Sequence, residues 1–197
     1  MQLLRQLQNL LNLSKSIDWL GPVALRIYLA PIYILAGSNK LAHVEDVASW
    51  FEYIGIPAPE LMVYVAALTE FVGGILLIAG LAVRWIAIPL MFTMIVAAAT
   101  AHWENGWHVL PETELTVPWE WRMDLIEDAT VRKEEAKSVL RKHSNLDYLS
   151  AAGPITVLKN GIEFAATYFI MLLALFFTGA GRIFSIDYWI DRKINTE

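Results

Sequence analysis

The stretch Leu61–Val83, LMVYVAALTEFVGGILLIAGLAV, decides the fold of this chain. Its only charged side chain is Glu70. The hydrocarbon core of a bilayer is about 30 Å thick, so a crossing helix needs about 20 mostly apolar residues. The stretch therefore predicts a transmembrane helix with a single carboxylate near its middle.

Three further apolar blocks predict transmembrane helices, at residues 19–37, 85–101 and 161–184. Backbone polar groups must find partners within the chain when they are in lipid, so each block is expected to be helical. Together with residues 61–83, they predict an all-α fold. We expect a polytopic membrane four-helix bundle that forms a single domain over residues 1–197.

Two helices are predicted outside the four spans. Near the N-terminus, leucines recur at three- and four-residue steps, which predicts an amphipathic helix on the membrane surface; they are Leu3, Leu4, Leu7, Leu10, Leu11 and Leu13. A long insertion covers residues 104–154, and within it Asp124–His143 has apolar residues at helical spacing. We expect the insertion to contain an extracytoplasmic loop helix.

The distribution of lysine and arginine predicts the orientation, because short cytoplasmic loops carry more of these residues. With both termini in the cytoplasm, that side holds Arg5, Lys15, Arg84, Arg182, Arg192 and Lys193. The opposite short loop then holds Lys40. We expect a multi-pass protein of a bacterial inner membrane, surrounded by lipid, with both termini cytoplasmic.

The composition excludes several classes of protein. Among 197 residues, 56% are hydrophobic and 18% are charged, and the net charge is −5. Nucleic-acid binders carry a basic surface, so a nucleic-acid partner is not expected. There is no cysteine, which excludes a thiolate-held iron–sulfur cluster and covalent haem.

Two opposite charges fall inside the predicted spans. Arg26 lies about a third of the way along the first span, and Glu70 lies near the middle of the second. Because these two helices run antiparallel, we expect Arg26 and Glu70 to approach each other. Ionisable groups at this depth face a partner or a cavity. Two interpretations stay open: a structural ion pair, or a catalytic role for both residues in handling protons or a quinone.

Polar residues also cluster toward the outer ends of the spans. The candidates for cofactor binding are Lys40, His102, Trp103, Asn160 and Glu163. Imidazole ligands suit copper, zinc or iron, which makes His102 and His108 candidate metal ligands. Their spacing fits no closed metal motif. The favoured alternative is that His102 is an interface histidine and that His108 is an exposed loop histidine.

Gly73 and Gly74 follow Glu70 by three and four residues. Small residues let membrane helices pack closely, which is the simpler interpretation. The same gap would alternatively admit a flat ring such as a quinone. The residues alone name no reaction and leave open whether the chain is an enzyme.

Several motifs together resemble the DoxX-type membrane proteins. They are RIYLAP at 26–31, AGSNK at 36–40, WFEYIGIPAP at 50–59, LTEFVGG at 68–74, and His102-Trp103. The resemblance covers most of residues 23–108 and 159–188. It implies a DoxX-like membrane domain, in which Arg26, Glu70 and His102 are the positions for a quinone site.

The acidic insertion and two later motifs narrow the resemblance to the HvfX-like subgroup. These motifs are NGIEF at 160–164 and SIDYW at 185–189. The subgroup implies an accessory role in copper homeostasis: maturation, export or handling of a copper-binding ribosomally made peptide. The implied partners are that modified peptide or its modifying enzymes.

The wider DoxX family implies an alternative function, as a quinone-linked membrane oxidoreductase subunit. Because the chain has no cysteine, a partner would have to carry out any thiol electron transfer. Quinone and copper are thus both open as the cofactor.

Overall fold

The fold was analysed in a computed structural model of the full chain. The structure describes residues 14–111, 113–151, 153, 155–156 and 158–195, together with positions 5, 8 and 12. The leucines of the predicted N-terminal amphipathic helix lie outside the described residues.

The described residues form helices and no strands, which confirms the predicted all-α class. Within the described part of the chain, eight α-helices follow one another: α1 Leu20–Ala42, α2 Val44–Tyr53, α3 Pro59–Ala79, α4 Val83–Ala97, α5 Met123–His143, α6 Leu146–Leu149, α7 Glu163–Thr178 and α8 Ile186–Ile194. A short 3₁₀ turn, Ser14–Ile17, precedes α1. Helix α4 continues as a π-helical turn, Ala98–His102, and a 3₁₀ turn, Trp103–Asn105.

Three helical stretches of the residues that the structure describes are long and apolar enough to cross a membrane. They are Lys15–Ala42, Pro59–Ala79 and Val83–Asn105. They coincide with the first three predicted spans, and each extends beyond its predicted bounds on at least one side. The first is the most informative case, because α1 continues past residue 37 and takes Lys40 into the helix.

The fourth predicted span, residues 161–184, contains a helix of only 16 residues, Glu163–Thr178. At 1.5 Å per residue, this length falls short of a bilayer core of about 30 Å. The helix ends where the backbone turns left-handed, at Gly179 with φ +75° and Gly181 with φ +81°. Glycine adopts this conformation without a steric penalty, so the sequence stops the helix before the predicted end.

The contacts divide the chain into two compact units. One comprises Met1–Met94 and Tyr168–Glu197, and the other comprises Ile95–Thr167. The first unit has a core to which four helices contribute fully buried leucines: Leu29 from α1, Leu77 from α3, Leu90 from α4, and Leu172 and Leu175 from α7. The apolar faces of these helices are thus buried against one another.

Two glycines set the distance between α1 and α3. A Cβ atom on Gly37 would lie 2.6 Å from the carbonyl oxygen of Ala67, and one on Gly74 would lie 2.8 Å from that of Ala30. On Gly73, a Cβ atom would meet the Leu90 side chain at 3.0 Å. Helix packing therefore fills the space beside these glycines, and the packing interpretation of Gly73 and Gly74 is confirmed.

The second unit contains α5, which confirms the predicted loop helix. Residues 106–109 are also held against residues 159–163 by a run of backbone hydrogen bonds. In this run the amides of Lys159 and Asn160 both donate to the carbonyl oxygen of Val109, at 2.8 and 2.9 Å. At Gly161 a Cβ atom would lie within 2.6 Å of three carbonyl oxygens, so only glycine fits there.

Candidate functional site

An ion pair joins α1 to α3 inside the membrane-spanning segments. Lys40 Nζ donates a hydrogen bond to Glu70 Oε2 over 2.5 Å. The Glu70 side chain is 6% exposed and that of Lys40 is 23% exposed, so the acid is buried and the lysine side chain is partly accessible. The pair is therefore a buried acid with a cation on its accessible side.

The extended first helix explains why these two residues meet. Lys40 lies three residues after Gly37, whose missing side chain lets α1 approach α3 at Ala67 and Phe71. Glu70 lies between those two residues on α3, one residue from the midpoint of the helix. The expected approach of Arg26 to Glu70 is wrong, because Lys40 takes the carboxylate and Arg26 has other partners.

A buried tyrosine lies near the same carboxylate. Tyr33 is 1% exposed, and it is within electrostatic reach of Glu70. Its hydroxyl group has no hydrogen-bond partner among the described residues. A buried hydroxyl without a partner is unfavourable, so this group is an unused hydrogen-bond donor in the interior.

Arg26 binds four carbonyl oxygens instead of a carboxylate. Its Nε donates to Leu77 at 2.7 Å and its Nη1 to Ala180 at 2.5 Å, while Nη2 donates to Ile78 at 3.0 Å and Phe184 at 2.7 Å. Two of these carbonyls are near the C-terminal end of α3, where unpaired carbonyls and the helix dipole favour a cation. Arg26 therefore ties the end of α3 to the segment after α7.

The same segment caps the next helix. The Asp187 carboxylate accepts hydrogen bonds from the amides of Ala82 at 2.6 Å and Val83 at 3.0 Å, at the beginning of α4. The amide of Asp187 in turn donates to the carbonyl of Gly80 at 2.9 Å. Arg26 and Asp187 thus both hold the segment after α7 to neighbouring helix ends, and the catalytic assignment of Arg26 stays a prediction.

The second unit brings together His102, Trp103 and Asn160. His102 Nδ1 lies 2.8 Å from the carbonyl oxygen of Asn160, and since a carbonyl only accepts, the ring nitrogen donates. Trp103 stacks on Trp121 with ring centroids 4.7 Å apart. Asn160 has φ +61°, a left-handed conformation that asparagine tolerates. These contacts join the end of α4 to the segment before α7.

Glu163 and His108 also have partners inside the second unit. Glu163 Oε2 accepts a hydrogen bond from the amide of Val109 at 3.0 Å. His108 is 5% exposed, with Nε2 3.1 Å from the hydroxyl oxygen of Thr116. The interpretation of His108 as an exposed loop histidine is therefore wrong, because the loop folds over it.

A second ion pair, which the sequence did not suggest, is buried in this unit. Lys159 Nζ lies 2.7 Å from Glu120 Oε2, and their side chains are 7% and 0% exposed. Burial alone would raise the pKa of Glu120. Hydrogen bonds from Lys159 and from the amides of Arg122 and Trp107 outweigh it and lower the pKa to about 2. Glu120 thus fixes the loop around residue 107.

No group of three or more histidine, cysteine or acidic side chains that would hold a metal ion occurs among the described residues. His102 and His108 each lie beside hydrogen-bonding groups of the second unit instead. Their assignment as metal ligands stays a prediction, as does cofactor binding by His102, Trp103, Asn160 and Glu163.

Glu70, Lys40 and Tyr33 are called the cluster below: Lys40 is hydrogen-bonded to Glu70, and Tyr33 is within electrostatic reach of Glu70. The sequence suggested the first two in separate groups and did not suggest Tyr33. Helical spacing would have predicted that Tyr33 and Lys40 lie together. Residues 33, 37 and 40 share one face of α1 once the helix continues to Ala42. Glu120 has no comparable signal, since its partner lies 39 residues away.

Comparisons with known proteins match part of the chain. The DoxX family model matches residues 21–103. A protein of Bacillus subtilis (strain 168), named "Putative oxidoreductase CatD", is 33% identical over 88 residues, which are 45% of this chain and 63% of the relative. The match thus spans less than two thirds of the relative's length. No solved structure matches the chain.

The matched stretch contains Arg26, Tyr33, Lys40 and Glu70, and it ends at Trp103 before the insertion. The resemblance to DoxX-type proteins is therefore confirmed over residues 21–103, and those residues carry a DoxX family match.

Proposed function

We propose that this chain is a DoxX-type membrane subunit of a quinone-linked redox system, with the Lys40–Glu70 pair as its proton-handling site. The observation that carries the proposal is this pair, 2.5 Å apart and shared by two membrane-spanning helices. Charges inside a bilayer are expensive, and they typically mark proton or ligand pathways. The name of the Bacillus relative, an oxidoreductase, supports the same class of chemistry.

The donors and acceptors of the cluster suit a quinone as substrate. A quinone ring offers carbonyl oxygens, which accept hydrogen bonds. The Lys40 ammonium group and the unpartnered Tyr33 hydroxyl are donors, and the Glu70 carboxylate takes up and returns a proton. The space beside Gly73 and Gly74 is filled by side chains, so the accessible Lys40 end of the cluster is the better site.

The proposed reaction is the reduction of a quinone, and it needs an external source of electrons. One quinone takes two electrons and two protons and becomes a quinol. Because the chain has no cysteine, we assign the electrons to a partner redox protein and the protons to water that reaches the Lys40 side of the pair. In this proposal Glu70 relays protons, Lys40 sets its charge, and Tyr33 orients a ring carbonyl.

The first test is binding of decylubiquinone to the protein in nanodiscs, followed by quenching of tryptophan fluorescence. Glu70→Gln and Tyr33→Phe should each weaken binding at least five-fold. Glu60→Gln, which changes an exposed acid on the same helix, should leave binding unchanged. Equal affinities for all four proteins would eliminate the quinone site.

The second test addresses the proton role in membranes of the native host. Chain-dependent quinol formation is the rate in wild-type membranes minus the rate in a deletion strain. It should fall at least ten-fold with Glu70→Gln and persist with Glu60→Gln. If Glu70→Gln membranes form quinol at the wild-type rate, Glu70 is not the relay.

Handling of a copper-binding peptide is the other candidate, and it rests on the resemblance of the insertion and the C-terminal motif to the HvfX-like subgroup. In this role the peptide, or a modifying enzyme, would contact residues 104–154, and the peptide itself would supply the copper ligands. Replacing residues 104–154 by a short linker should then abolish copper tolerance in a complemented deletion strain. Full complementation by that variant would reject this role.

The proposed location is a bacterial inner membrane with both termini in the cytoplasm. The natural absence of cysteine makes the test simple, because a single introduced thiol is the only reactive one. Asn195→Cys should be protected from a membrane-impermeant maleimide in intact spheroplasts, and Glu114→Cys should be labelled. The reverse pattern would invert the topology.

A further inference from the structure

A cleft in the second unit lies between α5 and the segment around residues 155–159. Its volume is about 170 Å³. On the α5 side it is lined by apolar residues at helical spacing: Leu125, Ala129, Ala136 and Leu140. Ile155 and Leu158 face them, and these two remain 36% and 63% exposed. The cleft is thus an apolar trough with an uncovered wall.

The charges of the cleft are all of one sign. Arg132, Lys133 and Lys137 of α5 line it, and no acidic side chain does so among the described residues. Their aliphatic stems add to the apolar wall, while their charged ends reach toward water. An anionic group at the mouth would therefore meet three cations of α5, two of which also pair with acids that do not line the cleft.

Two of these cations have only weak competing partners. Arg132 is paired with Asp128 at 3.0 Å, and both side chains are more than 60% exposed. Lys137 is paired with Glu134 at 2.8 Å on the surface of α5. Exposed pairs of this kind contribute little to stability, so an anion replaces the acid at little cost. Lys133 makes no ion pair with any residue that the structure describes.

We propose that this cleft binds a long-chain fatty acid, with the alkyl chain in the trough and the carboxylate at Arg132, Lys133 and Lys137. A dry cavity of about 150 Å³ is known to hold one benzene-sized group. A volume of this size therefore suits a segment of one alkyl chain, which favours a single-chain amphiphile over a two-chain phospholipid. The proposal is independent of the Lys40–Glu70 cluster, which belongs to the other unit.

The test uses palmitic acid that carries a photoreactive diazirine and an alkyne, added to the protein in phosphatidylcholine nanodiscs. After irradiation, mass spectrometry locates the labelled peptides. Labelling should be saturable and confined, outside the membrane spans, to residues 125–140 and 155–158. Unlabelled palmitate should displace the probe, and methyl palmitate should need at least a ten-fold higher concentration.

Matched variants distinguish labelling of the cleft from labelling that results from general contact with lipid. Ala136→Trp fills the trough and should reduce cleft labelling at least ten-fold, whereas Val139→Trp adds the same ring at an exposed position outside the cleft and should preserve it. Arg132→Gln with Lys133→Gln removes charge from exposed positions and should also reduce labelling ten-fold.

Three results would overturn the assignment. The first is retention of cleft labelling by folded Ala136→Trp or by the double glutamine variant. The second is equal displacement by methyl palmitate. The third is displacement by phosphatidylglycerol in the nanodisc or by hexaglutamate at the concentration of palmitate, which would identify a phospholipid or an acidic peptide as the occupant.

Discussion

Lys40 Nζ lies 2.5 Å from Glu70 Oε2, and the two residues come from helices that pack closely through Gly37. Arg26 is on the same helix as Lys40, but its guanidinium group is saturated by carbonyl oxygens. Lys40 is thus held by a carboxylate, whereas Arg26 is held by carbonyl oxygens, two of them at the end of α3. Substitutions of Lys40, Glu70 and Arg26 are expected to distinguish these two arrangements.

Removing one member of the Lys40–Glu70 pair should destabilise the fold more than removing both. Lys40→Met leaves a buried carboxylate without its cation, and the loss is expected to be about 3–5 kcal/mol. Adding Glu70→Gln to Lys40→Met should recover a large part of the lost free energy of unfolding. Denaturant unfolding in detergent measures the free energies of unfolding, with Glu60→Gln as the control. A double variant less stable than Lys40→Met alone would contradict this prediction.

Arg26→Met should be destabilising, and Glu70→Gln should not compensate for it. The substitution leaves four carbonyl oxygens without their donor. Because Arg26 and Glu70 do not contact each other, their effects should add to within about 0.5 kcal/mol. The same unfolding measurements give the coupling energy. A coupling well above that value would show an interaction between the two residues.

Gly74→Ala should push α1 and α3 apart. The added methyl group would lie 2.8 Å from the Ala30 carbonyl oxygen, a backbone atom that yields only if the helix moves. Overpacking of this kind typically costs about 1–3 kcal/mol. Gly21→Ala is the matched control, since a Cβ atom there has nothing within 4 Å. Equal melting temperatures for both variants would argue against a close helix contact.

Stability should fall in acid in a way that depends on Glu120. Its pKa is about 2 in the folded protein and its ordinary value is 4.5. A carboxyl with a lowered folded pKa contributes stability above the ordinary value and loses it as the pH falls toward the folded value. The free energy of unfolding should therefore decrease from pH 4.5 to pH 2, and less steeply in Glu120→Gln. Identical slopes would exclude this role for Glu120.

Asp187→Asn should weaken the beginning of α4. The carboxylate accepts hydrogen bonds from two amides, and loss of such a cap costs about 0.5–2 kcal/mol. Asp191→Asn changes an exposed acid on the same helix and should have little effect. Hydrogen exchange at Ala82 and Val83 reports the cap directly. Unchanged protection of both amides in Asp187→Asn would show that the Asp187 carboxylate does not cap α4.

The helices were the predictable part of this structure. Apolar length alone identified the first three spans, and helical periodicity identified α5. The predicted Arg26–Glu70 contact failed for a local reason: Lys40 was placed in a loop, although α1 continues to Ala42 and carries it toward α3. An error of one turn at a helix end thus changed the partner of a buried charge.

The partners of Arg26 and Glu120 could not be predicted from the sequence. Carbonyl oxygens occur at every position and leave no pattern, so nothing in the composition points from Arg26 to Ala180. The Glu120–Lys159 pair forms across the insertion, whose route cannot be inferred from periodicity. Both cases concern long-range contacts, which depend on the final path of the backbone.

The bond from Arg26 to Ala180 joins positions 154 residues apart, and this separation bears on how the protein assembles. During synthesis the first helix reaches the membrane long before its carbonyl partners exist. Closing a contact across so much chain is entropically unfavourable and slow. Docking of residues 180–187 is therefore expected to be the last step of biogenesis, and until then the Arg26 guanidinium group lacks two of its four carbonyl partners, those of Ala180 and Phe184.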